Sequence, residues 1–217
     1  MSHENSLAGP RVATIRKSSR GRVVLTTTDG ETLSLHTEAL ELANLREGAQ
    51  LDHDWRGHLE REDQRYAAHA AALRLLSHRR RSEKELSQRL RLRGIPADVI
   101  EEEIQRLRNA GLIDDQAFAQ TWVEERMPGR SQRLLRYELV GRGVQTKLAD
   151  EAVSAVDDRT AALALARRRA PRLTGLAFEQ FSRRLAGFLQ RRGFSYDLVA
   201  EAVRTVWDET KPATEDS

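Results

Sequence analysis

One short pattern occurs three times in this chain, and that repetition constrains the fold more than any other feature. Leu90-x-x-Arg93-Gly94-Ile95 returns as Leu139-x-x-Arg142-Gly143-Val144 and as Leu189-x-x-Arg192-Gly193-Phe194, at spacings of about 49 and 50 residues. The register holds on both sides. Leu86, Leu135 and Leu185 lie upstream; Val99, Leu148 and Leu198, then Glu102, Glu151 and Glu201, then Ile104, Val153 and Val203 lie downstream. A period of this length marks a supersecondary unit that buries its apolar face against neighbouring copies.

The first copy supplies the anatomy of the unit. Ser82 followed by Glu85 is a capping-box signature, with Leu86 and Leu90 on one face of the helix it opens. Gly94 suits the left-handed residue that stops that helix, and Pro96 suits the first turn of the next. Val99, Ile100, Ile104 and Leu107 form the apolar stripe of this second helix. A further helix precedes each pair: one from about Glu62 to Ser77 with Tyr66, Ala70 and Leu73 on one face, one led by Asp115, and one from Ala161 to Arg168. Each unit therefore has three helices.

Ahead of the repeats the period is that of strands. Val12, Thr14 and Arg16, then Val23, Leu25 and Thr27, alternate around a turn at Ser18–Gly21, and Asp29-Gly30 is a hairpin-turn pair. A meander from about Arg11 to His36 follows, then a short helix from Glu38 to Leu45 capped by Thr37 and ended by Gly48, a fourth short strand and a polar connector. So small a module needs support from what comes next. The expected fold class is mainly α: a tandem array of three three-helix repeats, preceded by a small β-rich N-terminal module. The expected divisions are a disordered tail at 1–10, the β-rich module at 11–61, repeats at 62–110, 111–157 and 158–207, and an acidic frayed tail at 208–217.

With aromatic residues at only 5% and charged residues at 32%, thin apolar helix faces fit better than a thick sheet core. The chain has no cysteine, so disulfides, thiolate zinc sites and cysteine nucleophiles are excluded. No stretch has the apolar core of a signal peptide or membrane span, and a reducing cytoplasm is the expected location. Catalytic signatures are missing: there is no Gly-rich phosphate loop, Gly-x-Ser-x-Gly elbow or His-Glu-x-x-His pair. Asp52, His53, Asp54 and His58 match no metal-site spacing and read as the connector. No catalytic residue, metal or cofactor is expected. Trp122, Phe118, Phe178, Phe181 and Phe188 fall at helical spacings beside Leu and Ala and read as core anchors.

The formal net charge is only +3, so the distribution of charge carries the information. Between Arg126 and Lys147 there are six basic residues against Glu138 alone, and between Arg167 and Arg192 eight against Glu179 alone. The third helices carry the opposite sign, with Asp98 and Glu101–Glu103 in the first, Asp150, Glu151 and Asp157 in the second, and Asp197, Glu201 and Asp208 in the last. A basic strip on the middle helices would suit a phosphate backbone or an acidic protein surface. The candidate contacts are Arg79, Arg80, Arg81, Arg89, Arg93, Arg130, Arg133, Arg136, Arg142, Arg167, Arg168, Arg184 and Arg192. Helix, Gly turn and helix is also the outline of a helix-turn-helix motif. The helix that would enter the major groove, however, presents Glu101, Glu102 and Glu103, which phosphates repel.

Several runs resemble the RecX family of recombinase regulators. They are Ala72-Leu73-Arg74-Leu75-Leu76 leading to Arg81-Ser82-x-x-Glu85-Leu86, Leu90-x-x-Arg93-Gly94-Ile95, Gly111-Leu112-Ile113-Asp114-Asp115-x-Ala117-Phe118-Ala119 with Arg126, and Leu135-Arg136-x-Glu138-Leu139-x-x-Arg142-Gly143-Val144. The resemblance covers about Glu62 to Trp207. It implies a regulatory protein that binds the RecA recombinase in the groove of its filament on single-stranded DNA; a monomer without enzymatic activity is expected. Lowered ATPase, strand-exchange and co-protease activities would follow, with roles in homologous recombination, DNA repair and the SOS response. A regulator that binds duplex DNA directly, without RecA, is the alternative. The β-rich module lies outside this resemblance.

Overall fold

A computed structural model describes residues 9–210, so the expected tails fall largely outside the described residues. Two compact units divide the chain: residues up to Arg80 together with Leu86–Ile113, and Arg81–Glu85 together with Asp114 onward.

The first unit opens with an antiparallel sheet in the order β1 (Val12–Lys17), β2 (Arg22–Thr27), β3 (Thr32–His36). Leu25 stands opposite Ile15 and Leu33, and a bulge interrupts the β1–β2 register between Val12 and Thr14. Gly30 takes φ +88° at the β2–β3 turn, as the Asp-Gly pair demands. The short helix α1 spans Thr37–Leu42, less than expected, because Asn44 already takes φ +51°. His36, not Thr37, occupies its N-cap; the Thr37 hydroxyl instead donates to the Gly21 carbonyl at 3.1 Å. The expected fourth strand is one isolated bridge between Arg11 and Gln50.

Helix α2 (Trp55–His78) begins well before the expected Glu62. Its first turns complete the sheet's core, where Trp55 and Leu59 pack with Val12, Val23, Leu25, Leu33, Leu35, Leu40 and Leu51. Asp63 on the same helix accepts from the His36 amide and pairs with Arg22 at 3.3 Å. Farther along, its buried face is Ala68, Ala72 and Leu75 rather than the expected Tyr66, Ala70 and Leu73; Leu73 is 40% exposed. With α3 (Glu83–Arg91) and α4 (Ala97–Asn109), this face encloses a core of Leu86, Leu90, Ile100, Ile104, Leu107 and Ile113. Pro96 is the N-cap of α4, not its first helical residue.

The carboxylates of α4 are held by α2. Arg61 reaches Asp98 at 2.8 Å, Arg65 reaches Glu102 at 2.9 Å, and His69 meets the buried Glu103 at 2.8 Å. Three of the four acidic residues of α4 thus find a partner on α2 within their own repeat.

The second unit holds two further triplets: α5 (Asp115–Arg126), α6 (Gln132–Gly141) and α7 (Thr146–Val153), then α8 (Asp158–Arg169), α9 (Phe178–Gln190) and α10 (Tyr196–Thr210). Phe118, Trp122, Leu135, Leu139, Val144 and Val153 fill one core; Leu165, Phe181, Leu185, Leu189, Phe194, Val199, Val203 and Val206 fill the other. Contrary to expectation, Phe178 is 44% exposed.

The same joint forms twice in this unit. The buried Ser82 accepts from the Glu85 amide at 3.1 Å and donates its hydroxyl to the Arg142 carbonyl at 2.6 Å. The buried Ser131 accepts from the Leu134 amide at 3.2 Å, and its own amide donates to the Arg192 carbonyl at 2.9 Å. In each joint the next amide, Glu83 or Gln132, donates to Asp115 at 2.9 Å or Asp158 at 2.6 Å. The preceding residues, Asp114 and Asp157, cap their own helices. Each Asp-Asp pair therefore starts one helix and anchors another.

Candidate arginine-rich interface

The arginines expected to form a strip fall into three structural classes. Arg79, Arg80 and Arg81 precede α3, and Arg130 precedes α6; Arg93, Arg142 and Arg192 sit in the Gly turns; Arg167 and Arg168 lie on α8, the first helix of its triplet. Only Arg89, Arg133, Arg136 and Arg184 ride on the middle helices α3, α6 and α9. This corrects the picture of a strip built from middle helices alone. The sequence spacing set the turns correctly, but it did not separate helix residues from the segments leading into them.

Pairing divides them again. Arg142 is engaged by Glu85, Arg130 by Glu138 and Arg136 by Asp150, while Arg167 reaches Glu209 at 2.6 Å. Hydrogen bonds donated to these carboxylates hold the Arg136 and Arg167 guanidinium pKa values above the ordinary arginine range. By contrast, Arg89, Arg93, Arg133 and Arg184 are exposed and form no ion pair among the described residues.

Two aromatic rings organise the charge of the second unit. Trp122 carries Arg126 at 3.4 Å and Arg142 at 3.8 Å from its ring centroid, and its indole N–H donates to Glu138 at 3.2 Å. Phe188 carries Arg192 at 3.7 Å and Arg169 at 5.2 Å. Cation–π contact lets a guanidinium lie partly desolvated while its edge stays available for hydrogen bonds. Both rings had been read from sequence as core anchors; each is also a platform for arginine.

Around Phe188 the arginines line an open hollow of about 310 Å³, formed by Leu165, Arg168, Arg169, Arg172, Phe188 and Arg192. No carboxylate pairs with these four guanidiniums among the described residues. Burial first, and then the charges of Arg191, Arg168, Arg169 and Arg130, push the Arg192 pKa below the usual arginine range. An anion entering here would relieve that repulsion. Arg169, Arg172 and Phe188 were not singled out from sequence as contacts. The signal was present in Arg167-Arg168-Arg169-Ala170-Pro171-Arg172, but the spacing to Phe188 comes from packing.

Among the described residues no cluster of His, Asp or Glu could hold a metal ion, and no helix is long and apolar enough to cross a membrane.

Three family models match successive stretches: the RecX first three-helix domain over residues 68–107, the second over 114–153 and the third over 157–203. The protein named Regulatory protein RecX of Streptomyces coelicolor is 40% identical over 153 residues, covering 68% of this chain and 81% of the relative. That of Mycobacterium avium is 41% identical over 150 residues, covering 66% and 84%. A crystal structure of regulatory protein RecX aligns with a TM-score of 0.65 at 22% identity, over 90% of this chain and 99% of that one. RecX from Lactobacillus salivarius aligns with a TM-score of 0.58 at 26% identity, over 66% and 97%. With its three helical repeats matched in order and relatives of this similarity, the chain belongs to the RecX family of regulatory proteins.

Proposed function

We propose that this protein binds the RecA recombinase filament on single-stranded DNA and inhibits its ATPase, strand-exchange and co-protease activities by occupying the filament groove. The observation that carries this reading is the division of the arginines. The third-helix carboxylates Glu102, Glu201 and Glu209 are taken by the chain's own arginines, whereas Arg89, Arg93, Arg133 and Arg184 are left exposed and unpaired among the described residues. Those guanidiniums, with the Arg168 and Arg192 hollow, suit a groove lined by acidic protein and nucleic-acid phosphates. On this reading inhibition is steric: the array fills space that a second DNA would need, and no chemistry of its own is required. The protein acts in the cytoplasm, as a monomer.

Charge reversal at Arg89, Arg93, Arg133 and Arg184 together tests it. Inhibition of RecA ATPase on single-stranded DNA is expected to fall with filament binding, while far-ultraviolet circular dichroism stays unchanged. Undiminished inhibition by a folded variant rejects the proposal. The Arg168–Arg192 hollow also favours one other reading, direct regulation on duplex DNA. Equal affinity for random duplex and for RecA filaments at physiological salt would select it.

A further inference from the structure

The three Arg-Gly turns are equivalent in sequence but not in surroundings. In two of them the arginine carbonyl is used by a serine-capped segment, and the glycine is crowded: a Cβ on Gly143 would overlap the Lys84 side chain, and one on Gly193 would overlap the Ser131 hydroxyl and stand 2.8 Å from Leu134 Cβ. Their arginines lie against Trp122 and Phe188. At the third turn a Cβ on Gly94 would meet nothing within 4 Å, and the Arg93 side chain has neither ring nor carboxylate partner among the described residues.

This turn borders a cleft of about 330 Å³ that the N-terminal module helps to build. Three guanidiniums line it from three elements: Arg20 from the β1–β2 turn, Arg74 from α2 and Arg93 from the α3–α4 turn. None has a side-chain partner among the described residues. The acidic residue on the lining, Glu38, is tied to the Tyr66 hydroxyl, whose pKa is raised by desolvation first and then by that bond. The His36 and Tyr66 rings lie 5.2 Å apart, and Ala67, Ala70 and Ala71 give a low floor beside them. Arg20 is held at φ +60°, a region where glycine, asparagine or aspartate costs less. Turn geometry alone does not favour arginine there.

We propose that this cleft is a nucleotide-phosphate site, in which Arg20, Arg74 and Arg93 grip the phosphate oxygens and the His36–Tyr66 wall with its alanine floor receives the attached nucleoside. Three forked donors from separate elements match the several acceptor oxygens of a phosphate better than the two of a carboxylate. The two rings, tilted at 48° to one another, and the alanines beside them offer an aromatic and apolar face on which a base can stack with little regard to its identity. The source of the phosphate is a nucleic-acid strand or a free nucleotide. The proposal goes beyond recombinase binding and does not depend on it, and it assigns a role to the module outside the three family domains.

The test uses the full chain, labelled with ¹⁵N, titrated separately with a short oligothymidylate, ATP and a polyglutamate peptide. Saturable shifts of the Gly21, Ala70 and Gly94 amides are expected with the oligonucleotide, with ATP, or with both; either source supports the site. In the Arg20→Gly/Arg74→Gln variant the Ala70 and Gly94 shifts should require at least tenfold more ligand. Arg20→Gly alone should raise the urea midpoint by removing the strained turn, so a loss of binding cannot be ascribed to misfolding. Absence of shifts at these amides with both phosphate ligands, or equal response to polyglutamate, overturns the proposal. Arg93 is left intact, so RecA inhibition by the same variant reports separately on the filament reading.

Discussion

At the residue scale, the same amino acid in the same motif does different work according to what packs on it. Gly94 and Gly193 both have positive φ, +79° and +89°, yet only Gly193 faces a closed joint. Alanine at position 94 should cost about 1 kcal/mol, the backbone strain alone. Alanine at 193 adds the overlap with Ser131 and Leu134 and should cost at least about 2 kcal/mol more. Urea midpoints of the two variants give the comparison, and equal losses would mean that the joint yields freely. Arg142 and Arg93 divide in the same way. Arg142 is bound to Glu85 and stacked on Trp122, so reversing its charge would set two carboxylates together and break a joint; Arg93 can be changed without that damage. This is why Arg142 and Arg136 make poor probes of binding, although both belong to the expected contact set.

At the level of elements, the first helix of the first and third triplets serves as the counter-ion of the third helix, whereas in the second triplet Asp150 of α7 is held by Arg136 of the middle helix α6. The pattern of Arg65 on Glu102 returns as Arg159 on Glu201 at 2.7 Å, and the two glutamates are equivalent in the repeat. Hydrogen bonds from Arg65 and then Arg61 hold the Glu102 carboxyl below the ordinary glutamate range. A depressed folded pKa means that the stabilisation is fully present above the unfolded value, about 4.3, and is lost as the pH falls through the folded value. Glu102→Gln should therefore melt below the parent at pH 7, and the gap should close as the pH is lowered toward about 3. Thermal melts across that range check it; a gap that persists in acid would point to lost packing instead. Glu102 is exposed, so the effect should be modest and should shrink in salt. Helix α2 shows a different economy. One 24-residue helix closes the sheet's core with Trp55 and Leu59 and the first repeat's core with Ala72 and Leu75, which meets the need of the small module for a neighbour.

For the whole molecule, a net charge of +3 conceals a sorted surface, since many of the charges cancel within the chain. If the protein binds the filament as proposed, that binding should be far more salt-sensitive than the net charge suggests. Each of Arg89, Arg133 and Arg184 that meets a phosphate should, when changed to glutamine, reduce the slope of log affinity against log salt by roughly 0.7–0.9. Binding titrations at several salt concentrations would reveal which of them do; an unchanged slope with weaker binding would assign the residue to protein contact. The sequence by itself determined the three Leu-x-x-Arg-Gly units, the glycine turns, the β-meander and the acidic character of the third helices, because these rest on local periodicity and backbone preference. It missed the start of α2 and misplaced that helix's buried face, because a helix shared by two cores carries two apolar faces in succession and no single stripe. Only the tertiary structure decided which arginines are spent on the fold and which remain available. Arg142 finds Glu85 across 57 residues, and Arg167 finds Glu209 across 42. Nothing in the local pattern distinguishes these arginines from Arg93 or Arg184: an ion pair depends on where two side chains meet in space, and the chain brings them together only by packing its helices.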